Sequence, residues 1–399
     1  MSDANRSQLG FIEENTIGTC PGTALTSLRF TDESLSFSIE NISSNEIRSD
    51  RQTTDLVQTS QEAGGGFGFE LSYGAFDDLM EGALFSDWVG VGATTVESVI
   101  SATTASNLDF TLNATANTIV LGSSVTHGIV DGQWIELRNS TADDGYHFVT
   151  TVSSQTLTVL STPGITTSEV LDESDAATIK GSHIENGTTE HGYSIERFLS
   201  DEIDYFGYTG MRINTLSLTS AASSIVTGSF DFIGMGATVN TSSMSTAGTY
   251  GAASANTVMN AVANVGQIME GSTLTALTGV YIQELSFSIN NNLRGIQAIS
   301  YAYNVDVGAG QLDLTGTLNL FYANTTIYSK YIAGTESGLS FKVEDSSGNA
   351  FIFTFPRVKF STDTVNAGGL NTDVMENLTW QALRHATYGY TMAIDRIPA

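Results

Sequence analysis

Apolar and polar residues alternate from Leu35 to Asn41, in the segment LSFSIEN. Leu35, Phe37 and Ile39 fall on one face, and Ser36, Ser38 and Glu40 on the other. A period of two predicts a β-strand with one buried face. The polar stretch Asn45 to Glu62 follows. After it the alternation resumes, with Phe67, Phe69, Leu71 and Tyr73 sharing a face. The period then changes: Phe76, Leu79, Met80, Ala83 and Leu84 stand at helical spacing. Asp77 and Asp78 fall in the first turn, where the helix dipole favours acids. The predicted unit is strand, long hairpin connection, strand, helix.

This order returns about 250 positions later. LSFSINN (Leu285 to Asn291) echoes the first strand, and Leu318 to Tyr322 echoes Phe69 to Tyr73. Ile299, Tyr301, Tyr303, Val305 and Val307 alternate between the two. Leu312, Leu314, Leu318, Leu320 and Tyr322 form the inward face of the next strand, and Ile327, Tyr328, Tyr331 and Ile332 have helical spacing. Segments matched in the same order at nearly one offset indicate a duplicated domain. A third match, Val226 to Met235 beside Val374 to Leu383, has a shorter offset, as an insertion in the first copy alone would produce. The insertion is assigned to residues 106–185, short strands separated by Gly and Asp turns, and resembles the small β-modules grafted onto phage virion proteins. The expected domains are 1–105 with 186–243, the module 106–185, a Gly/Ala/Ser-rich linker 244–270, and 271–399.

Composition narrows the class. Only 15% of the 399 residues are charged, Pro occurs 4 times, and Ser, Thr, Asn and Gly supply the polarity. The expected fold is all-β with minor helices. Lys+Arg 15 against Asp+Glu 43 gives a net charge of -28, the wrong sign for gripping nucleic acid. One cysteine, Cys20, excludes an intrachain disulfide framework or thiolate cluster. No apolar run suggests a signal peptide or a membrane segment, so synthesis in a reducing cytoplasm is expected.

Catalytic motifs are missing: the chain has no GxSxG, no Walker loop, no HExxH. Gly64, Gly65 and Gly66 precede a strand and read as a hairpin turn. His183 and His191, near Glu185 and Glu190, match no zinc spacing and read as surface histidines in a polar linker. The carboxylates of Asp345 to Phe351 and Ser140 to Phe148 read as β-turns rather than calcium loops. Cys20, before Pro21, has no activating companion and reads as a tolerated thiol. No catalytic residue, metal or cofactor is expected.

One stretch is more specific. Glu14, Gly18 and Thr19 form a Glu-x-x-x-Gly-Thr opening, followed by LRFTDESL, by SNEIRSDRQ (Ser44 to Gln52), and by a Gly-rich lead into FELSYGAFDDLMEGAL. Over residues 9 to 90 the chain resembles the major tail tube proteins of long, non-contractile-tailed phages. That resemblance implies tandem β-sandwich or barrel units whose subunits form stacked rings around a lumen for the genome. It implies a structural virion protein without enzymatic activity, assembled in the host cytoplasm and located in the tail. Its partners would be other copies of itself, the tail terminator, tape measure and tail-tip proteins, and DNA in transient, non-specific passage. Most relatives contribute one unit, six per ring; two units on one chain imply three chains per ring.

The polar strand faces would line the lumen: Ser36, Ser38, Glu40, Glu70 and Ser72 in the first copy. In the second they are Ser286, Ser288, Asn290, Asn304, Asp306, Asp313, Thr315, Thr317 and Asn319. None is a cation, so a duplex would find nothing to stick to. Asn45 to Glu62 would be the arm reaching the next ring, with Arg48, Asp50, Arg51, Asp55 and Glu62 pairing across subunits. A rival reading is a carbohydrate- or surface-binding tail-tip or adhesin β-protein, with Trp134, Tyr146 and Tyr193 as its binding face. A β-helix or sandwich hydrolase is a third, without a motif to support it.

Overall fold

The computed structural model describes residues 3–92, 98–102, 109–162, 164–245, 250–261, 265–270, 274–276 and 281–399. The first part of the chain supplies β1 (Ser7–Glu13), β2 (Leu25–Ser27), β3 (Ser36–Ser43), β4 (Leu56–Glu70) and α1 (Asp77–Leu84). After the module come β5 (Thr178–Glu185), β6 (Tyr193–Leu199), β7 (Asp204–Ala221), β8 (Thr227–Gly234) and β9 (Gly236–Asn240). The rest supplies β10 (Val265–Glu270), β11 (Thr275–Ala276), β12 (Ile282–Asn290), β13 (Asp313–Phe321) and α2 (Thr326–Ala333). It ends with β14 (Ser337–Glu344), β15 (Ala350–Ala367), β16 (Val374–Ala382) and β17 (Ala393–Ile397). The fold is all-β with two helices, as the composition requires.

The main ladders of the first unit have counterparts in the second. The long strand β7 belongs to two sheets. Its first half pairs with β6 and β9, and its second half with β8. β15 does the same with β14 and β17, then with β16. Both strands change sheet at a bulge, between Ile213 and Thr215 and between Phe360 and Thr362. A bulge bends the strand, so one strand serves both layers of a sandwich. With the bulges superimposed, Phe230 matches Leu378, Phe67 matches Leu318 and Ser36 matches Ser288. The sequence echo had set Phe69 against Leu318 and Ser36 against Ser286. The ladder is displaced by two residues, which leaves every face unchanged.

One apolar core runs through both units, from Leu9 and Phe11 to Met392 and Ile394. α1 lies in it through Leu79, Met80, Ala83 and Leu84; α2 enters only through Ile327, with Tyr331 packed against it. Small residues make room for large ones. A Cβ on Gly316 would meet the Trp380 ring, and one on Gly228 the Phe69 ring. Gly64, Gly65 and Gly66 lie inside β4 rather than in a turn. Gly65 has φ +103 and sits against the Ser34 carbonyl, while Gly66 sits against that of Phe230. Three glycines there let backbone approach backbone at a strained point of a continuous strand.

Three other expectations change. Residues 297–305 form no strand: Ile299 is 97% exposed and the chain turns at Ala298 to Tyr301, between short strands Arg294–Ile296 and Asp306–Gly308. Alternating Tyr residues imitated a strand where a turn at Ser300 (φ 76) reverses the chain. The segment read as a linker is packed where described: Tyr250–Gly251 pairs with β2 and Val265–Glu270 is β10. Residues 246–249 and 262–264 of that segment lie outside the described residues. Residues between the two helices also hold a separate core, from Val91 and Ile100 through Ile119, Leu137 and Leu157 to Ile179. β5 leads out of it, pairing first with Ser98–Ser101 and Trp134–Arg138, then with β17.

Candidate assembly surface

Eight strands form one antiparallel run in the order β3, β4, β8, β7, β12, β13, β16, β15. The first four belong to one unit and the last four to the other. The joint between them is β7 on β12, from Thr215 opposite Asn290 to Ala221 opposite Glu284. Because side chains alternate, the run has one core face and one polar face. A core row reads Phe69, Gly228, Leu218, Phe287, Gly316, Trp380, Phe360. The neighbouring polar row reads Glu70, Thr227, Thr219, Ser286, Thr317, Thr379, Thr362.

The polar face is largely hydrogen-bonded to itself. Ser217 and Ser229 share a bond of 2.8 Å, Ser286 and Thr317 one of 2.7 Å, Thr362 and Thr379 one of 2.7 Å. Thr215 donates to Asp231, and Gln381 to Asp313. Side chains satisfied across the strands offer few free donors to a passing ligand. Of the residues expected on this face, Ser36, Ser38, Glu40, Glu70, Ser286, Ser288, Asn290, Asp313, Thr315, Thr317 and Asn319 stand on it. Ser72 does not, because β4 ends at Glu70 and Ser72 is fully buried. Asp306 and Asn304 belong to the excursion between β12 and β13. There Asp306 lies 3.4 Å from Arg212, and Asn304, buried, donates to the Gly234 carbonyl.

Sequence reasoning left out the contributions of β7, β8, β15 and β16: Thr215, Ser217, Thr219, Ser229, Asp231, Thr362, Thr364, Asn377 and Thr379. Their alternation is as plain as that of Ser286 and Ser288, but no close echo elsewhere in the chain singles these strands out. One cation joins them. Lys359, opposite Gln381, continues the row of Ser229, Ser217, Ser288 and Thr315 and lies beside Gly334 at the end of α2.

The two outer strands each lack a partner on one side among the described residues. β3 pairs with β4 alone, and the second half of β15 with β16 alone. Both edges carry exposed apolar side chains: Ile39 and Ile42 on β3, Val365 on β15. Beyond β3 the β3–β4 hairpin extends into the arm, exposed from Glu40 to Thr59 except at half-buried Ser44. Arg48 there pairs with Asp50 at 2.7 Å, so these two charges are already matched within the arm. Asp55 caps Leu56, Glu62 stands opposite Ser38, and Arg51 takes φ 59.

Next to the β15 edge, on the core side, Asp363 and Glu376 are diagonal neighbours across the β15–β16 ladder, Asp363 standing opposite Leu378 and Glu376 opposite Val365. They are 7% and 1% exposed, and Asp363 Oδ1, Asp363 Oδ2 and Glu376 Oε1 meet no donor. Burial, then the Asp363 charge, pushes Glu376 up to about 7; burial also raises Asp363. Such a pair keeps a proton between its carboxyls.

His183 and His191 are not surface residues. His183 is buried with its Nδ1 2.7 Å from Asp395 Oδ1; burial opposes its charge, but Asp395 and Glu185 hold it up to about 9. His191 is buried as well. The glycan-binding face of the rival reading dissolves too. Trp134 and Tyr193 are core residues, Trp134 Nε1 donates to Thr354, and Tyr146 lies under the Lys342 ammonium. The opening motif has a plain role: Glu14 accepts hydrogen bonds from Gly18 N–H, Ser194 Oγ and Gly210 N–H, tying the first turn to β6 and β7.

The eight-strand run thus ends in two edges that lack partners among the described residues, with one polar face between them. Residues 4–382 match the family model of the phage tail tube protein, and the chain belongs to that family. It is a structural component of a phage tail, and tail tube proteins assemble into a tube. No curated protein matches it. Among the described residues no helix is long and apolar enough to cross a membrane.

Proposed function

We propose that three chains close into a ring by pairing β15 of one copy with β3 of the next, and that such rings stack into the tail tube. The observation that carries this is the internal joint. β7 pairs with β12 inside the chain, and by topology β15 is the counterpart of β7 and β3 the counterpart of β12. The chain thus contains one example of the contact that its two free edges would repeat. Heterologous contacts of this kind close when the rotation fits.

Lumen size favours three copies. With strands about 4.8 Å apart and tilted roughly 40°, about 24 strands make a cylinder of roughly 48 Å, leaving roughly 38 Å between side chains. Two copies, about 16 strands, would leave roughly 22 Å and press on a duplex. The polar face would turn inward, where its acids and hydroxyls let DNA slide during ejection. On this reading residues 1–105 with 186–243 and residues 271–399 are the two tube units, and 106–185 with its neighbouring core residues is a decoration outside the lumen. The reading also carries a non-contractile tail, assembly in the host cytoplasm, no catalytic role, and contact with terminator, tape measure and tail-tip proteins.

Electron microscopy of the purified chain tests this. Stacked rings with threefold symmetry and a central hole support it; rings of another copy number, or a polar face on the outside of the tube, would sink it.

A further inference from the structure

His191, in the segment leading into β6, is the one buried histidine that faces two carboxylates from another part of the fold. Its side chain is 4% exposed, and Nδ1 is 2.7 Å from Glu13 Oε1 on β1. A carboxylate on Nδ1 fixes the tautomer and leaves the Nε2 lone pair pointing away. Nε2 is buried without a hydrogen-bond partner and lies 3.8 Å from Asp87 Oδ1. Glu81, on α1, spends one oxygen on the Trp88 N–H. Ligand atoms of Glu81, Asp87 and His191 all lie within 4.8 Å of one another.

The distances separate two explanations. At 3.8 Å, Nε2 and Asp87 are too far apart for a hydrogen bond. They are near the edge of a coordination tetrahedron, roughly 3.4 Å for bonds of about 2.0–2.1 Å. We propose that Glu81, Asp87 and His191 bind a divalent first-row transition ion, with zinc the best fit, and that Glu13 orients the imidazole for it. One imidazole and two carboxylates suit zinc or manganese, whereas calcium and magnesium prefer oxygen alone. The ion would clamp α1 and its exit loop to the sheet at β6.

Isothermal titration of the untagged full chain with Zn²⁺, Mn²⁺, Ca²⁺ and Mg²⁺ tests the assignment. One equivalent of Zn²⁺ should bind, with Ca²⁺ and Mg²⁺ at least tenfold weaker. Asp87→Asn, at an exposed side chain, and His191→Gln should each weaken Zn²⁺ at least tenfold. Glu13→Gln should weaken it about tenfold, within the range for ligand-orienting carboxylates. Co²⁺ should give a visible d–d band that His191→Gln removes. The proposal falls if the folded wild-type chain takes up no saturable Zn²⁺. It falls equally if uptake is unchanged in both ligand variants, or if Ca²⁺ and Mg²⁺ bind as tightly as Zn²⁺.

Discussion

The joint inside the chain and the edges left open at its ends share one topology but not one chemistry. Across β7 and β12 the core side reads Leu216 against Ile289 and Leu218 against Phe287. At the open edge Asp363 takes the place of Leu216, and Glu376 that of Gly228. A contact fixed by the chain itself has been filled with apolar residues. The open β15 edge has two buried carboxyls beside it instead. Ile39, Ile42 and Val365 stand exposed on the two open edges, and long unpaired edges of this kind join to other strands unless something restrains them.

Placing an acid at each joint in turn breaks this comparison most severely. Ile289→Asp buries a carboxylate in the internal joint and should cost about 3 kcal/mol or more, read as a large fall in Tm or failure to fold. Ile42→Asp on the exposed β3 edge should leave monomer stability within about 0.5 kcal/mol yet abolish rings in electron micrographs. Rings that survive Ile42→Asp would show that β3 does not make the contact.

The carboxyl pair gives the next largest effect. Unfolded, both groups ionise at about 4; folded, Glu376 holds its proton up to about 7. The folded chain binds more protons across that window. Its stability therefore falls as pH rises from about 4 to about 7 and levels off above. Calorimetric Tm across that range should show this slope, and Asp363→Asn with Glu376→Gln should flatten it. Covering the edge buries the pair further, so ring closure should also weaken with rising pH in the wild type alone. An unchanged slope in the double variant would remove the pair from the account.

The smallest structural change probes the polar face. Ser217→Lys with Thr317→Lys should leave fold and tube intact, since both side chains are half-buried on the polar face, outside the apolar core. The tubes should then retain duplex DNA, with retention falling steeply as salt rises. Tubes that bind no more DNA than wild type would place that face away from the lumen.

Much of this was legible in the residues. Alternation located β3, β4, β12 and β13 and assigned their faces, because a period of two admits only two answers. Helical spacing located α1 and α2. The echoing segments suggested a duplication but set the register two residues away from the ladders, since Ser-rich alternation looks the same after such a slip. What was hidden depended on contacts distant in sequence. Ser72 looks like a face residue until β4 stops at Glu70, and His191 looks like a linker residue until Glu13 and Asp87 reach it from other elements. The pairing of Asp363 with Glu376 needs the β15–β16 ladder, which spacing alone does not reveal.

The excursion between β12 and β13 folds back on its own chain: Gln61 N–H donates to the Ala302 carbonyl, and Tyr303 lies 6.1 Å from Phe37. Of the two connections, the hairpin that follows β3 is therefore the one that projects freely. A ring of three would look nearly sixfold to the DNA inside it but would offer its neighbour only three handholds. Successive rings could then lock at thirds of a turn, never at sixths, and the tube's twist would be set by half as many joints as its wall has units.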